Sequence, residues 1–451
     1  MIASAEVPDG IHPGLAAAGA LSVLLAAHAA VAVDLELIGS YVGISLACGL
    51  IYLVGVGIVL KRTARPRDLM LIVFVAVVVR GLALTPAPNL STDAFRYVWD
   101  GRVQSAGFSP YMYVPSDPRL EHLRDGTIYP NINQKDRAVT IYPPAAELLF
   151  RVASWVGDAL GGVRVTMALL DLLTIGALIV LLGWLGLPRE RVIIYAWHPL
   201  PIWEFVGQSH IDAAVTTAIV LGLLAAVRGR QGLTGGIFAV AALIKYFPVV
   251  LLPALWRRFD WRLPVAFVAT VAVIYAPFVR EAGWRVLGFL GPHLDNEGYR
   301  AGWGFHLVWL MRDFGLADPP VGLYVLSSAV LLSALGLYAL IHRRADEKRF
   351  DHLLMLGGAF VFLASPHYPW YFGFLVALLV FAPQAWAFAM TLLAVVLYLP
   401  RPPGGLTWTE LYLAVYWVPV ALLATSLVMR SWRARITATR IQSWDNGPSR
   451  P

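Results

Sequence analysis

Long apolar runs, separated by short charged clusters, set the rhythm of this chain. A membrane helix needs about 17–25 such residues. Runs of that kind stand at about 14–33, 40–60, 68–86, 164–185, 190–206, 212–228, 262–279, 321–342, 352–365, 387–400 and 410–430. Shorter apolar pieces stand at about 232–246, 247–256 and 370–383. Continuous runs predict helices rather than the alternating ~10-residue strands of a membrane barrel. The expected fold is all-α, a polytopic transmembrane helical bundle of about 12–14 membrane segments.

Composition strengthens this. Of 451 residues, 58% are hydrophobic and 14% charged, against roughly 25% charged in soluble domains. Mean hydropathy is +0.67. Too little charge is present to clothe a soluble enzyme of this length. The 16 Trp, 18 Tyr and 20 Phe exclude disorder. A single cysteine, Cys48, excludes a disulfide framework. No Lys or Arg precedes the first apolar run, so that run reads as an uncleaved helix rather than a signal peptide.

The basic clusters then set sidedness. Lys61, Arg62, Arg65 and Arg67 lie between the second and third runs, and Arg189 and Arg191 open the fifth. Arg228 and Arg230, then Arg257, Arg258 and Arg262, follow later runs. Arg343, Arg344, Lys348 and Arg349 form another cluster, and the tail adds Arg430, Arg433, Arg435 and Arg440. Placing all of these inside puts both termini in the cytoplasm and residues 87–141 outside. The segment 143–160, carrying Glu147, Arg151 and Asp158, should then lie on the membrane as an interfacial helix. Domain organisation follows: one transmembrane domain over 1–430, with external loops at 87–160 and 280–320, and a basic cytoplasmic tail at 431–451. The net charge of +7 is mostly topology, and no nucleic-acid partner is expected.

On this assignment the unusual polar residues gather on the external face. The loop 87–141 holds six basic and six acidic residues, and a loop that long is usually functional. It contains Ser91-Thr92-Asp93, Arg96, Asp100, then Gly107 to Tyr111 and, just beyond, Tyr142-Pro143-Pro144. A second concentration runs from Glu204 through His210 to Asp212. A third spans 280–310 with Arg280, Arg300 and His306, and the turn Ser365 to Tyr371 adds His367 and Tyr368. Lys245 stands where Pro248 breaks an apolar run. A lone ammonium near the bilayer points to an anion such as phosphate, though it could also snorkel to the interface. Asp93 could equally cap a helix. Asp100 reads as a partner for Arg96 or Arg102, Asp171 as a paired charge facing the bundle interior, and Glu204 as a structural partner. No spacing of histidines fixes a metal site.

These features resemble the GT-C superfamily of membrane glycosyltransferases, which take a sugar from a polyprenyl phosphate carrier. Gly107-Phe108-Ser109-Pro110-Tyr111 with Tyr142-Pro143-Pro144 is similar to a pattern in bacterial α-mannosyltransferases and the PIG-M type mannosyltransferase. Glu204-x-x-Gly207-x-x-His210-x-Asp212, Lys245-x-x-Pro248 and Ser365-Pro366-x-Tyr368-x-Trp370-Tyr371 look like further motifs of that group. The chain departs from it in lacking a strict Asp-x-Asp, which leaves divalent metal dependence open.

The resemblance implies a GT-C type bundle with interfacial helices in the first external loop. It also implies an inverting hexosyltransferase acting at the external face of a bacterial-type inner membrane, with mannose favoured. Asp93 would be the general base. Lys245 would meet the carrier phosphate, helped by Arg280, Arg300 or His306. Asp100, Tyr111, Tyr142, Glu204, His210, Asp212, His367 and Tyr368 would surround the substrates. The expected partners are the lipid bilayer, the polyprenyl phosphate sugar and a lipid-linked or glycan acceptor, with no cofactor. The competing class is a secondary transporter of a lipid-linked or small anionic substrate.

Overall fold

The computed structural model describes residues 10–32, 37–61, 65–258, 260–342 and 349–445. Arg62, Arg343, Arg344 and Lys348 of the basic clusters, and residues 446–451 of the tail, lie outside these. Among the described residues every regular element is helical. Three long helices open the chain: α1 (Pro13–Ala32), α2 (Ile38–Lys61) and α3 (Pro66–Ala83). The first loop contributes α4 (Asp93–Ser105) and α5 (Pro144–Val156). Then come α6 (Leu160–Trp184), the short α7 (Ile193–Ala196), a π-helical turn at Pro201–Gly207 and α8 (Asp212–Val227). Next are α9 (Gln231–Ile244), α10 (Leu252–Leu255), α11 (Arg262–Ala282), α12 (Leu290–Asn296) and α13 (His306–Asp313). The C-terminal part holds α14 (Val321–Ile341), α15 (Arg349–Ala364), α16 (Gly373–Leu379), α17 (Ala385–Leu393), α18 (Trp408–Tyr412) and α19 (Val418–Asp445).

Among the described residues six helical stretches are long and apolar enough to cross a bilayer: α1, α2, α6, Arg262–Asn296, α14 and Trp408–Trp432. A seventh is made by the π-turn and α8 together, bent by 115°. Of the remaining apolar runs, 68–86 folds as the unbroken 18-residue α3, which carries Arg67, Asp68 and Arg80, and the others as shorter or broken pieces. The run at 190–206 breaks into α7 and the π-turn where Pro199 and Pro201 interrupt it. Those at 352–365 and 387–400 become helices of 16 and 9 residues. The fold is thus an all-α polytopic bundle with fewer full-length helices than apolar runs.

Asp171, in the middle of α6, shows how the bundle handles charge. It is fully buried and ion-paired to Arg80 of α3. The Tyr195 hydroxyl donates to it at 2.6 Å, and Arg80 also donates to the Ala196 carbonyl at 2.7 Å. The bridge therefore ties α3, α6 and α7 together, with the carboxylate satisfied from two sides. This is the paired, inward-facing role the sequence leads one to expect.

Helices α4 and α5 form the layer that carries the first loop. Each has 13 residues, about 20 Å of helix, well short of a ~30 Å hydrocarbon core. Length thus agrees with an interfacial rather than a crossing role for 144–156. The two helices touch at Gly101, where an added Cβ would overlap the Phe150 carbonyl oxygen. A second close approach docks the later polar loop onto the first. The Phe289 N–H donates to the Thr140 carbonyl at 3.0 Å, and Gly288, at φ +58, leaves no room for a side chain against that carbonyl. We expect Gly101→Val to lower the thermal midpoint in detergent by an amount equivalent to about 1–3 kcal/mol. Gly176→Ala in α6, whose added Cβ meets nothing within 4 Å, is the matched control and should leave the midpoint unchanged or slightly raised.

Candidate functional site

The polar concentrations scattered along the chain converge at one end of the bundle. Asp93 is the first residue of α4. Its carboxylate caps nothing: Ser91 Oγ accepts from the Asp93 N–H at 3.2 Å instead. The carboxylate points toward the bend between the π-turn and α8, and Oδ2 lies 3.8 Å from His210 Nδ1. The other ring nitrogen of His210 lies 3.5 Å from Glu204 Oε2. Glu204 accepts a hydrogen bond from the Tyr398 hydroxyl at 2.9 Å. One face of the His210 ring stacks on Trp370, with centroids 3.7 Å apart. Tyr368 stacks on Trp370 in turn at 4.6 Å.

Lys245 ends α9 in an extended conformation. Its ammonium donates to Asp212 Oδ2 at 2.6 Å and lies 4.0 Å from the Tyr371 ring centroid. Thus the lysine does not snorkel alone; Asp212 and Tyr371 hold it over the site. Glu297 joins the cluster, accepting from Tyr368 Oη at 3.3 Å and lying 3.4 Å from His367 Nδ1.

Burial raises the Asp93 carboxyl to about 6, reinforced by the charges of Asp212 and Glu297. Lys245 and the Tyr142 hydroxyl work in the opposite sense. The side chain nevertheless keeps 36% of its surface exposed, so it is reachable from outside the bundle. A carboxylate poised near neutral pH and open to a substrate can take a proton. Glu297 differs: although burial pushes it up, the adjacent His367 and His293 outweigh this and hold it below the usual range.

Backbone strain marks the same place. Among the described residues three non-glycines have left-handed φ, and two of them, Ser209 (+63) and Ser365 (+54), lie in the turns that carry His210 and Trp370. Such conformations cost on the order of 1–3 kcal/mol each and concentrate at functional sites.

The structure therefore brings Asp93, Tyr142, Glu204, His210, Asp212, Lys245, His367 and Tyr368 together. Five other expected residues lie apart. Asp100 is buried in a pair with Arg96, both carboxylate oxygens 2.9 Å from Nε, and is closed to substrate. Tyr111 is buried and donates to the Tyr142 carbonyl at 2.7 Å. It positions Tyr142 and joins the two motif halves physically. Arg280 is exposed at the end of α11. Arg300 is 66% exposed and pairs with Asp295 at 3.2 Å. His306 is fully buried, bonded through Nδ1 to Ser365 Oγ at 2.8 Å and stacked on Tyr416. Burial holds its pKa down to about 3, so it is neutral and offers a phosphate no charge; its role is to brace the Ser365 turn. Among the described residues no group of three His, Cys, Asp or Glu is arranged to hold a metal ion.

Sequence reasoning did not single out Glu297, Trp370, Tyr398 or Gln208. Trp370 and Tyr371 stood in a motif already noted. Tyr398 and Gln208 gave no local signal, because their contacts are made 194 and 118 residues away, to Glu204 and the Leu90 N–H.

The model of glycosyltransferase family 87 matches residues 140–366, half of the chain. The protein belongs to glycosyltransferase family 87. It is a membrane glycosyltransferase of that family, and no curated protein matches it. The matched segment carries Glu204, His210, Asp212, Lys245 and Glu297. Asp93 lies before it, and geometry alone attaches Asp93 to this family 87 site.

Beneath Asp93 the α4–α5 layer depends on one buried cation shared by two carboxyls. Arg96 pairs with Asp100 and donates to the Ala138 carbonyl at 3.0 Å. Glu147 accepts from Thr140 at 2.6 Å and Gln104 at 2.8 Å. Burial, then the charge of Asp100, raise the Glu147 carboxyl well above its ordinary 4.5. The native protein holds that proton while the unfolded chain releases it near 4.5, so Glu147 opposes folding increasingly as pH rises past that value. Arg96→Ala should lower stability by about 3–5 kcal/mol. Glu147→Gln should unfold at or above the wild-type temperature, with the advantage growing from pH 5 to pH 8. Thermal unfolding in detergent across that range of about three pH units reads both.

Proposed function

We propose that this family 87 enzyme moves a hexose, mannose favoured, from a polyprenyl phosphate carrier to a lipid-linked or glycan acceptor. The observation that carries the reading is the cluster itself. A partly exposed carboxylate raised toward neutrality lies within the field of an ammonium held by Asp212 and Tyr371, beside the stacked rings of Tyr368 and Trp370. Asp93 takes the proton of the acceptor hydroxyl as its oxygen attacks the anomeric carbon. Lys245 neutralises charge developing on the departing phosphate. Its bond to Asp212 aims the ammonium before the donor arrives. Tyr368 offers an apolar ring to the sugar.

Direct displacement inverts configuration, so a β-linked donor gives an α-linked product. A retaining route needs a second open carboxylate about 5 Å from the first, and the pairing of Asp100 with Arg96 removes that candidate. No cofactor enters this scheme. In this reading both termini are cytoplasmic, an orientation the basic clusters support, and the site faces outward from a bacterial-type inner membrane, as in the enzymes the chain resembles.

The test is transfer by the purified full chain from polyprenyl phosphate [14C]mannose into a bacterial membrane lipid extract. Asp93→Ala should lower kcat by about 10²–10⁴-fold, and Lys245→Ala by about 10²–10³-fold. Because Asp93 must be ionised to act, kcat/KM should fall as pH drops through about 6 and level off above it. Movement of the donor across sealed vesicles without transfer would instead make the protein a transporter. Full activity in Asp93→Ala would remove that residue from the mechanism.

A further inference from the structure

We propose that His210 relays the proton taken up by Asp93 inward to Glu204, clearing the base while the products are still bound. The inference rests on Asp93 being the base. It arises from a ring placed for nothing else. His210 is fully buried, and neither ring nitrogen has a hydrogen-bond partner. An imidazole stripped of water and left unbonded is costly, and each nitrogen has a carboxylate oxygen nearby, at 3.8 and 3.5 Å. The ring is held in that line by Trp370, stacked nearly parallel at 21°. Its backbone is fixed by the strained Ser209 and by the His210 N–H donating to the Glu204 carbonyl at 3.0 Å. Glu204 is 2% exposed, and the Tyr398 hydroxyl donates a hydrogen bond to it at 2.9 Å.

The groups facing the ring are Asp93 from α4, Glu204 from the π-turn and the charge of Lys245 from the end of α9. In the resting site the imidazole is neutral, with its proton on Nε2 toward Glu204 and a free lone pair on Nδ1 toward Asp93. The acceptor O–H bond breaks, a bond forms from that oxygen to the anomeric carbon, and the carbon–phosphate oxygen bond breaks. The hydroxyl proton goes to Asp93 and the electron pair leaves with the phosphate. In the step that limits kcat, Asp93 then passes its proton to Nδ1 as Nε2 passes its own to the Glu204 carboxylate. The imidazole changes tautomer and stays neutral, so no new cation is made beside Lys245. The two gaps exceed hydrogen-bond length by a few tenths of an ångström, and such bonds commonly tighten only with substrate in place. Once the products leave, the proton returns along the same line to the exposed Asp93 carboxylate and from there to water.

The experiment uses the same transfer assay with His210→Phe, which keeps the stacking on Trp370, and Glu204→Gln, which keeps a partner for Tyr398. Each should lower kcat about 10–100-fold with KM for the donor within about threefold of wild type. The decisive readout is the rate in mixed H2O and D2O. Wild type should give a bowed dependence on deuterium fraction, the mark of two protons moving together, and both variants a straight one. A straight dependence in wild type, or a bowed one surviving in Glu204→Gln, would overturn the relay, even if His210→Phe fails to fold. Asp93→Ala separates the two readings. If it is inactive while His210→Phe and Glu204→Gln keep wild-type kcat, the base stands and only the relay falls; if it is fully active, both fall.

Discussion

Taking a charge out of water costs several kcal/mol, and that constraint arranges this molecule. Within the bundle charge survives where it is paired, as Arg80 is with Asp171. At one end it is concentrated and only partly satisfied. There Lys245 has Asp212, but Asp93 remains open, and the His210 ring lies between two carboxylates without bonding either. The bundle and the clamped α4–α5 layer hold these groups against mutual relaxation. Without Gly101 letting α5 approach α4, and Arg96 neutralising Asp100 beneath them, the first residue of α4 would have no fixed address.

The same physics separates what was legible in the sequence from what was not. Apolar runs are written in consecutive residues, so the helical bundle could be read directly. The runs overstate the number of full-length helices because Pro199, Pro201 and Pro248 convert apolar stretch into π-turns, 3-10 turns and bends. The convergence of 87–141, 204–212, 280–310 and 365–371 was readable through charge placement, which needs no contacts. Individual roles were less so. His306 and Tyr111 carry the right chemistry at the right end, but burial makes one a brace for the Ser365 turn and the other a clamp on the Tyr142 carbonyl. Tyr398 reaches Glu204 across 194 residues, a contact no local pattern announces.

Family membership and geometry support each other from different parts of the chain. The matched segment supplies the turn at 204–212, Lys245 and Glu297. The preceding loop supplies Asp93, delivered beside His210 by α4. The central claim is that these halves form one site, with the carrier phosphate on Lys245 and the reacting carbon before Asp93. A cryo-EM structure of the full chain with polyprenyl phosphate tests it most directly. The account predicts phosphate density in ion-pair contact with the Lys245 ammonium, with Asp212 displaced from it and Asp93 facing the vacant sugar position. Phosphate bound instead at Arg280 or Arg300, with the Lys245–Asp212 pair intact, would contradict it.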